Sequence, residues 1–494
     1  MRIAFVLDNI ILGQEPLGVT TIGAMLKKHG YEVGYFDIPR NRAEWSTDKV
    51  VEFQPDVVGF SISTGLHNRY MDFNRMLRER LPNLFTITGG PHPSFFPDFL
   101  KTDGVDAICV GEGEWAMLGL VQALEAGEDY YDIPGLHVKL RDGSVRENPP
   151  RAYEQELDSL PFPDHSFISQ FPHLRDSPIA YIMAGRGCPY NCTFCFNHVA
   201  IDLQEGRYTR YRSPENVVAE CLELRDKYGK RYMAFQDDTF SLNFRYLQKF
   251  LPLYKEKVGL PYLAHLRADN LTEKMAKLLA DTGCKRAVIG LENGNFDIRV
   301  KILDKKVTND QFLKCAKLLH SHGIELLTQN MFGVPGETIE SALSTIELNI
   351  DCEADLMVIH FFQPYPGTDL ATMSQDMGLW DGTVDDIPES NHWYVILNLK
   401  DKEYVDLIGK LSYFLLDYPK AFRILKPLLL NRATRAMALP LMRFYLWWDK
   451  KTLYSKRRGP GCRFHPPKAV MAAPEATSTG AARAFEEKVY CPSA

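Results

Sequence analysis

The chain has 494 residues, 45% of them hydrophobic and 24% charged, a profile that excludes a single small module, a disordered chain and a collagenous one. Its 57 Lys and Arg against 63 Asp and Glu leave a net charge of −6, which argues against nucleic acid as the main partner because phosphate binding calls for a basic excess. The ten cysteines follow a first segment, MRIAFVLDNI, without the regions of a secretory signal, so reduced thiols in a cytoplasmic setting are expected rather than a disulfide scaffold.

Residues 1–130 alternate short apolar runs with helix-like stretches. The runs are Ile3 to Leu7, Glu32 to Phe36, Val57 to Ile62, Phe85 to Thr88 and Ala107 to Val110; between the first two, Val19, Ile22, Met25 and Leu26 share one helical face. Five such βα units predict an α/β domain with a doubly wound parallel sheet, whose ligand crevice lies at the carboxyl ends of the strands. Residues 131–174 read as a β-hairpin turning at Asp142 and Gly143, then an extended Pro-rich linker through PFPD.

Residues 175–375 resume the alternation, with strand-like runs at Ile179 to Met183, Arg231 to Phe235, Tyr262 to Leu266, Arg286 to Leu291, Glu325 to Met331 and Leu356 to Phe362. Helices are expected between them, such as Pro214 to Tyr228 with Ser213 as N-cap, and Thr308 to His322. Six units fit a partial (βα)6 barrel better than a full eight-fold one. Residues 376–466 turn helical and aromatic-rich, and the tail 467–494, rich in Ala, Pro, Ser and Thr, reads as disordered. Pro440 and Arg443 interrupt the longest apolar stretch, which falls short of the ~18 residues of a spanning helix.

The most informative segment is GRGCPYNCTFCFNH, Gly185 to His198. Cys188, Cys192 and Cys195 stand at C-x3-C-x2-C spacing directly after the first strand of the second alternation. Three thiolates on such a loop can hold three irons of a 4Fe-4S cluster and leave the fourth iron open for chemistry. The alternative, a zinc site, needs a fourth ligand, for which His198 is the nearby candidate. The other seven cysteines are isolated and read as small buried hydrophobes.

At these residues the chain resembles the radical SAM superfamily, and the resemblance runs over residues 178–375. It implies that the three cysteines hold the cluster and that S-adenosylmethionine chelates the open iron. A reductant such as flavodoxin or ferredoxin would then drive formation of a 5'-deoxyadenosyl radical. FQDDTF, Phe235 to Phe240, implies Asp237 or Asp238 at the methionine amino end; a helix N-cap is the plainer reading. HLRADN implies Arg267 at the methionine carboxylate, against a plain ion pair. IGLENG implies Glu292 at the ribose or amino group, with Asn293 in place of the usual Ser. NMFGVPGET and FQPYPGT resemble the fifth and sixth strand ends of the family.

The pairing with a doubly wound N-terminal domain, the hairpin and DSLPFPD resembles one subgroup, the cobalamin-binding-domain radical SAM enzymes. This subgroup includes the anaerobic magnesium-protoporphyrin monomethyl ester cyclase and many methyltransferases. EPLGVTTIGAML, SISTG, TGGPHPS and GEGE stand at expected strand ends or helix starts. There Gly89 and Gly90 would let a corrin approach the backbone, and Ser61 and Thr64 would offer hydroxyls. The motif D-x-H-x-x-G is present only in part: Asp8 and Gly13 keep its spacing, but Ile10 stands where the cobalt-ligating histidine would be. His92 is the residual axial candidate, against a loop-packing role.

The resemblance implies a methyltransferase acting on an unactivated carbon, or alternatively an oxidative cyclase or other oxidoreductase on a tetrapyrrole or lipid-like substrate. In the C-terminal region Phe422, Leu425, Leu428, Leu429, Met442, Phe444, Trp447 and Trp448 lie among Arg432, Arg435, Arg443, Lys450, Lys451, Arg457 and Arg458. That mixture fits either peripheral contact with anionic lipid or an amphipathic helix packed on the barrel with a solvated basic face.

Overall fold

The computed structural model describes residues 1–8, 15–38 and 47–452. Ile10 and the tail 467–494 lie outside them. Two sheets organise the chain. The first contains β1 (Arg2–Asp8), β2 (Glu32–Ile38), β3 (Val57–Ser61), β4 (Phe85–Gly89), β5 (Ala107–Cys109), β6 (Leu136–Lys139) and β7 (Val145–Glu147), in the order β2-β1-β3-β4-β5-β6-β7. The first five strands run parallel, while β6 and β7 add antiparallel at the edge.

Successive residues of β1 enter opposite cores. Ile3, Phe5 and Leu7 join the helices Leu17–Lys28 and Glu114–Ala126, whereas Ala4 and Val6 join the helix His67–Arg80. Burial on both faces is what the near-continuous apolar runs predicted. The hairpin differs from its expected role as part of a linker. Its turn is fixed by the Asp142 carboxylate, which accepts from the Ser144 amide at 2.9 Å and hydroxyl at 2.6 Å. Val138 then pairs with Ala107, so the hairpin covers the otherwise open edge of β5.

The second sheet holds β8 (Ile179–Ile182), β11 (Tyr232–Phe235), β12 (Tyr262–Leu266), β13 (Cys284–Glu292), β14 (Glu325–Phe332) and β15 (Leu356–Phe361), all parallel and in sequential order. A short ribbon, β9 (Gly185–Arg186) with β10 (Arg210–Tyr211), carries the chain away from the end of β8. Residues such as Ile182, Phe235, Ala264 and Ile289 face the surrounding helices. Tyr181, Ala234, Leu263, Val288, Leu327 and Val358 make a separate cluster on the inner face. The result is the six-stranded half-barrel that six βα units predict. Its helices begin on polar caps: the Ser213 hydroxyl accepts from the Asn216 amide, and Thr308 with Gln311 forms a reciprocal capping box.

Three helices follow, Lys402–Asp417, Pro419–Leu430 and Arg435–Thr452. Ile408 and Leu411 pack with Phe332 and Phe361, closing the β14 and β15 side of the half-barrel. Among the described residues no helix is long and apolar enough to cross a membrane.

Candidate functional site

The loop after β8 is built around glycine. Gly187 adopts φ +88, and a Cβ placed on it would stand 2.5 Å from the Tyr208 carbonyl oxygen. Only glycine meets both demands. The loop then presents Cys188, Cys192 and Cys195, the first two buried and the third half-buried. Burial pushes the Cys195 thiol up to about 12 and raises Cys192 as well. These two thiols hold their protons when bare, and a metal must displace them on binding.

Several contacts hold this loop over the mouth of the half-barrel. Thr193 donates to the Ile302 carbonyl at 2.6 Å and its own carbonyl accepts from the Leu370 amide at 3.0 Å. His198 interacts through Nδ1 with the Cys195 carbonyl, and its Nε2 meets the Asp369 amide at 3.3 Å. His198 is thus committed to shaping the loop. Among the described residues no group of three or more His, Cys, Asp or Glu side chains converges on one metal position. With His198 so engaged, the three thiolates fit a cluster, in which each takes a different iron, better than a zinc site that needs a fourth ligand.

The acidic pair after β11 divides its work. Asp237 is buried and accepts from the Ala184 amide at 3.1 Å, and burial raises its carboxyl to about 7. Asp238 accepts from the Gly187 amide at 3.2 Å and from Asn197 Nδ2 at 3.1 Å, one link at each end of the cysteine loop. Both carboxylates therefore brace the loop, and neither acts as the N-cap that was the plainer expectation. Arg267, at the end of β12, is buried with its Nε held by both oxygens of Asp269. Its guanidinium lies over the ring of Tyr190, between the first two cysteines, at 3.6 Å.

Glu292 ends β13 in the left-handed region, φ +64, at a break in register with β14. A non-glycine residue there is strained, and such strain collects at ligand sites. Its carboxylate is nearly enclosed and pairs with Lys305 at 2.8 Å. A Cβ on Gly290 would meet the Glu292 carboxylate at 2.2 Å, so the glycine makes room for the pair. Asn293 points away from Glu292 and donates to Glu337 at 2.9 Å. Glu337 also accepts from the Gly333 and Val334 amides, yet burial still raises its carboxyl to about 8.

At the carboxyl ends of β3 and β4, Gly90 adopts φ +91, and a Cβ there would stand 2.9 Å from the Ile62 amide nitrogen. Gly89 beside it would bear a Cβ in ordinary van der Waals contact, 3.6 Å from the Cys109 side chain. Ser61 is partly exposed. Thr64 is turned inward instead, its hydroxyl 3.1 Å from His92 Nδ1. The His92 ring stacks on His67 at 4.5 Å and packs against Phe99, and burial lowers its pKa to about 3. These contacts give His92 a packing role on its Nδ1 side, while its Nε2 is buried without a hydrogen-bond partner. Thr88 Oγ1 is buried without a hydrogen-bond partner at this crevice, which suits a ligand supplying one. Asp8, the retained part of the incomplete motif, pairs with buried Arg69.

GEGE stands, as expected, between the end of β5 and the start of the helix Glu114–Ala126, and its carboxylates form ion pairs. Arg186 reaches Glu112 at 3.0 Å and Glu114 at 2.7 Å, and Arg210 reaches Glu112 at 2.8 Å. Both arginines stand on the β9–β10 ribbon, so these carboxylates tie the first sheet to the cysteine side of the second. Gly111 lies against Gln204, which accepts from the Glu112 amide at 3.0 Å. Nothing in the local sequence distinguishes an interface carboxylate from a cofactor loop, since the partners lie about 75 to 100 residues away.

The Radical SAM superfamily model matches residues 182–348, and the B12 binding domain model matches residues 5–121. The chain is a radical SAM enzyme with a B12-binding domain. An uncharacterized methyltransferase of Pyrococcus horikoshii is 29% identical to this radical SAM enzyme over 405 residues, 81% of this chain and 84% of that one. An anaerobic magnesium-protoporphyrin IX monomethyl ester cyclase of Rubrivivax gelatinosus is 26% identical over 391 residues, 75% and 69% of the two chains. The solved structure of OxsB, a cobalamin-dependent S-adenosylmethionine radical enzyme with aqua-cobalamin bound, shares the fold with a TM-score of 0.66 at 17% identity, covering 92% of this chain and 72% of that one.

The cofactors of this radical SAM enzyme follow from its two domains: a 4Fe-4S cluster, S-adenosylmethionine and cobalamin. The structure gathers Cys188, Cys192, Cys195, Arg267 and Glu292 around one mouth. Ser61, Gly89 and Gly90 line another. Tyr190, Lys305 and Asn197 complete the first mouth, and sequence reasoning missed all three because each acts through a partner on another element: Arg267, Glu292 and Asp238.

Proposed function

We propose that this enzyme transfers a methyl group to an unactivated carbon of a small, apolar or lipid-like substrate, using a reductant of the flavodoxin or ferredoxin class in the cytoplasm. The functional units in this reading are 1–130 for the corrinoid, 131–174 as hairpin and linker, 175–375 for radical generation and 376–466 as a helical cover. When bound, the cluster with S-adenosylmethionine supplies a 5'-deoxyadenosyl radical, and the corrinoid supplies a transferable methyl group.

One observation carries the reading. The loop that follows Gly89 and Gly90 ends in Phe95, and this ring stacks at 4.5 Å on Phe196, the residue after Cys195. The two crevices therefore open toward the same space, which supports a substrate held between two cofactors. In that arrangement Cys188, Cys192 and Cys195 hold the cluster, while Arg267 and the Glu292–Lys305 pair orient the S-adenosylmethionine. Ser61, Gly89 and Gly90 take the corrinoid, and Asp237 and Asp238 keep the cysteine loop in place.

A cyclase on the same scaffold is the second reading, favoured by the similarity to the Rubrivivax enzyme. Anaerobic turnover of the fully loaded enzyme with methyl-labelled S-adenosylmethionine tests both. The proposal expects 5'-deoxyadenosine together with a product heavier by the labelled methyl. Formation of 5'-deoxyadenosine with an oxidised product that carries no labelled methyl would establish the cyclase, and formation of neither product would overturn both readings.

A further inference from the structure

The C-terminal helices leave an apolar surface uncovered. Seven of the twelve large hydrophobic side chains exposed among the described residues fall between Tyr418 and Trp447. Met437, Leu441, Phe444 and Trp447 are 67, 61, 61 and 51% exposed. They step along the helix Arg435–Thr452 by four, three and three residues, which confines them to about 120° of its circumference. The opposite face, through Ala438, Met442 and Tyr445, is already buried on the neighbouring helices. The preceding helix repeats the division. Phe422, Leu425 and Leu429 face inward, and Ile424 and Leu430 face outward beside Lys420 and Arg423.

The expectation of a packed helix with a solvated basic face thus holds for the inward side alone. The outward side is apolar as well as basic. Residues 418–452 contain eight Lys and Arg and a single acidic residue, Asp449, in a chain whose overall charge is −6. Arg443, Arg435 and Lys426 are matched by Glu403, Asp401 and Glu347. Lys420, Arg423, Arg432, Lys450 and Lys451 meet no carboxylate among the described residues. The ammonium of Lys451 lies over the ring of Trp447 at 4.2 Å, a lysine stem spread along the aromatic stripe.

We propose that this two-helix surface, Pro419 to Thr452, docks the enzyme on an anionic lipid bilayer, with Met437, Leu441, Phe444 and Trp447 entering the headgroup boundary. The inference goes beyond the catalytic reading and stands apart from it. Charge selects the occupant. Protein interfaces are depleted in lysine at their centres, whereas a bilayer rich in acidic headgroups favours an apolar stripe flanked by Lys and Arg. An amphipathic surface of this kind attaches in the interface plane and reversibly.

Flotation of the full-length protein through a density gradient tests this without any turnover. The probes are vesicles of phosphatidylcholine alone and of phosphatidylcholine mixed with phosphatidylglycerol. The protein is expected to float with the mixed vesicles, remain below with phosphatidylcholine alone, and be released by added salt. Phe444→Ser with Trp447→Ser should weaken binding by roughly tenfold per ring removed. Lys450→Gln with Lys451→Gln should weaken it by about fivefold per charge. All four side chains lie on the exposed side of the helix, so circular dichroism and melting temperature should match the parent.

Equal flotation with both vesicle types, or with neither, would overturn the proposal. So would a dimer in solution that the Phe444 and Trp447 changes convert to monomer, since a second copy would then be the occupant. Loss of methyl transfer with flotation intact would overturn the catalytic reading alone.

Discussion

The ring of Phe95 lies face to face on that of Phe196, with centroids 4.5 Å and planes 6° apart, and Phe196 stacks in turn on Tyr365 at 5.4 Å. One stack therefore joins the loop after β4, the loop of the cluster cysteines and the segment after β15. Phe95→Ala is expected to leave iron and sulfide content unchanged while lowering methyl transfer by roughly ten- to a hundredfold, because small displacements of reacting groups cost that much. Iron assay and labelled-methyl turnover on the same preparation check it; unchanged turnover would show that the stack does not set the spacing of the crevices.

Cys188→Ala, Cys192→Ala and Cys195→Ala should each abolish the cluster's visible absorbance after anaerobic reconstitution. Cys221→Ala provides the contrast. Cys221 is fully buried in the core of the half-barrel, so its loss should preserve the absorbance and lower stability by about 1 kcal/mol through a small cavity. Spectra and thermal melts of the four variants separate the two roles.

Removing the charge of Glu292 leaves Lys305 buried without its partner. Glu292→Gln is expected to cost about 3 kcal/mol of stability, the usual scale for breaking a buried pair. Lys305→Met in the same chain should restore most of it. Calorimetric affinity for S-adenosylmethionine should fall in both variants, because the proposed ligand contact is absent from each. Recovery of affinity together with stability would assign Glu292 a purely structural role.

Glu337 gives the fold a pH dependence. Burial raises its carboxyl to about 8 from an ordinary value of 4.5, so between those values the folded state binds more proton than the unfolded one. Its contribution is complete below the unfolded pKa and is lost as pH rises through about 8. Melting temperature measured from pH 5 to 8 should therefore decline less in Glu337→Gln than in the parent. Gln can still accept from the Gly333 amide, which keeps the comparison one of charge.

Much of the architecture was legible in the chain. Local periodicity is set by which residues face a core, so eleven strands of the two parallel alternations and the capped helices between them could be read in order. The cysteine spacing and the glycines around it were equally local. The hairpin turn at Asp142 and Gly143 was legible too, but its destination on the edge of β5 was not, because strand pairing depends on which edge lies nearby.

By itself, then, the sequence determined the order of the elements, the ends of the strands as the place for chemistry, and the three thiols. Tertiary structure decided what each remaining motif does there. It sent Glu112 and Glu114 to Arg186 and Arg210, turned Thr64 toward His92, and placed Glu292 in a left-handed turn against Lys305. It also separated the inward Phe422, Leu425 and Met442 from the outward Leu441, Phe444 and Trp447. The ion pairs and hydrogen bonds among these join residues 13 to 98 positions apart, and a buried charge or an aromatic face takes its role from the group that meets it rather than from its neighbours in the chain.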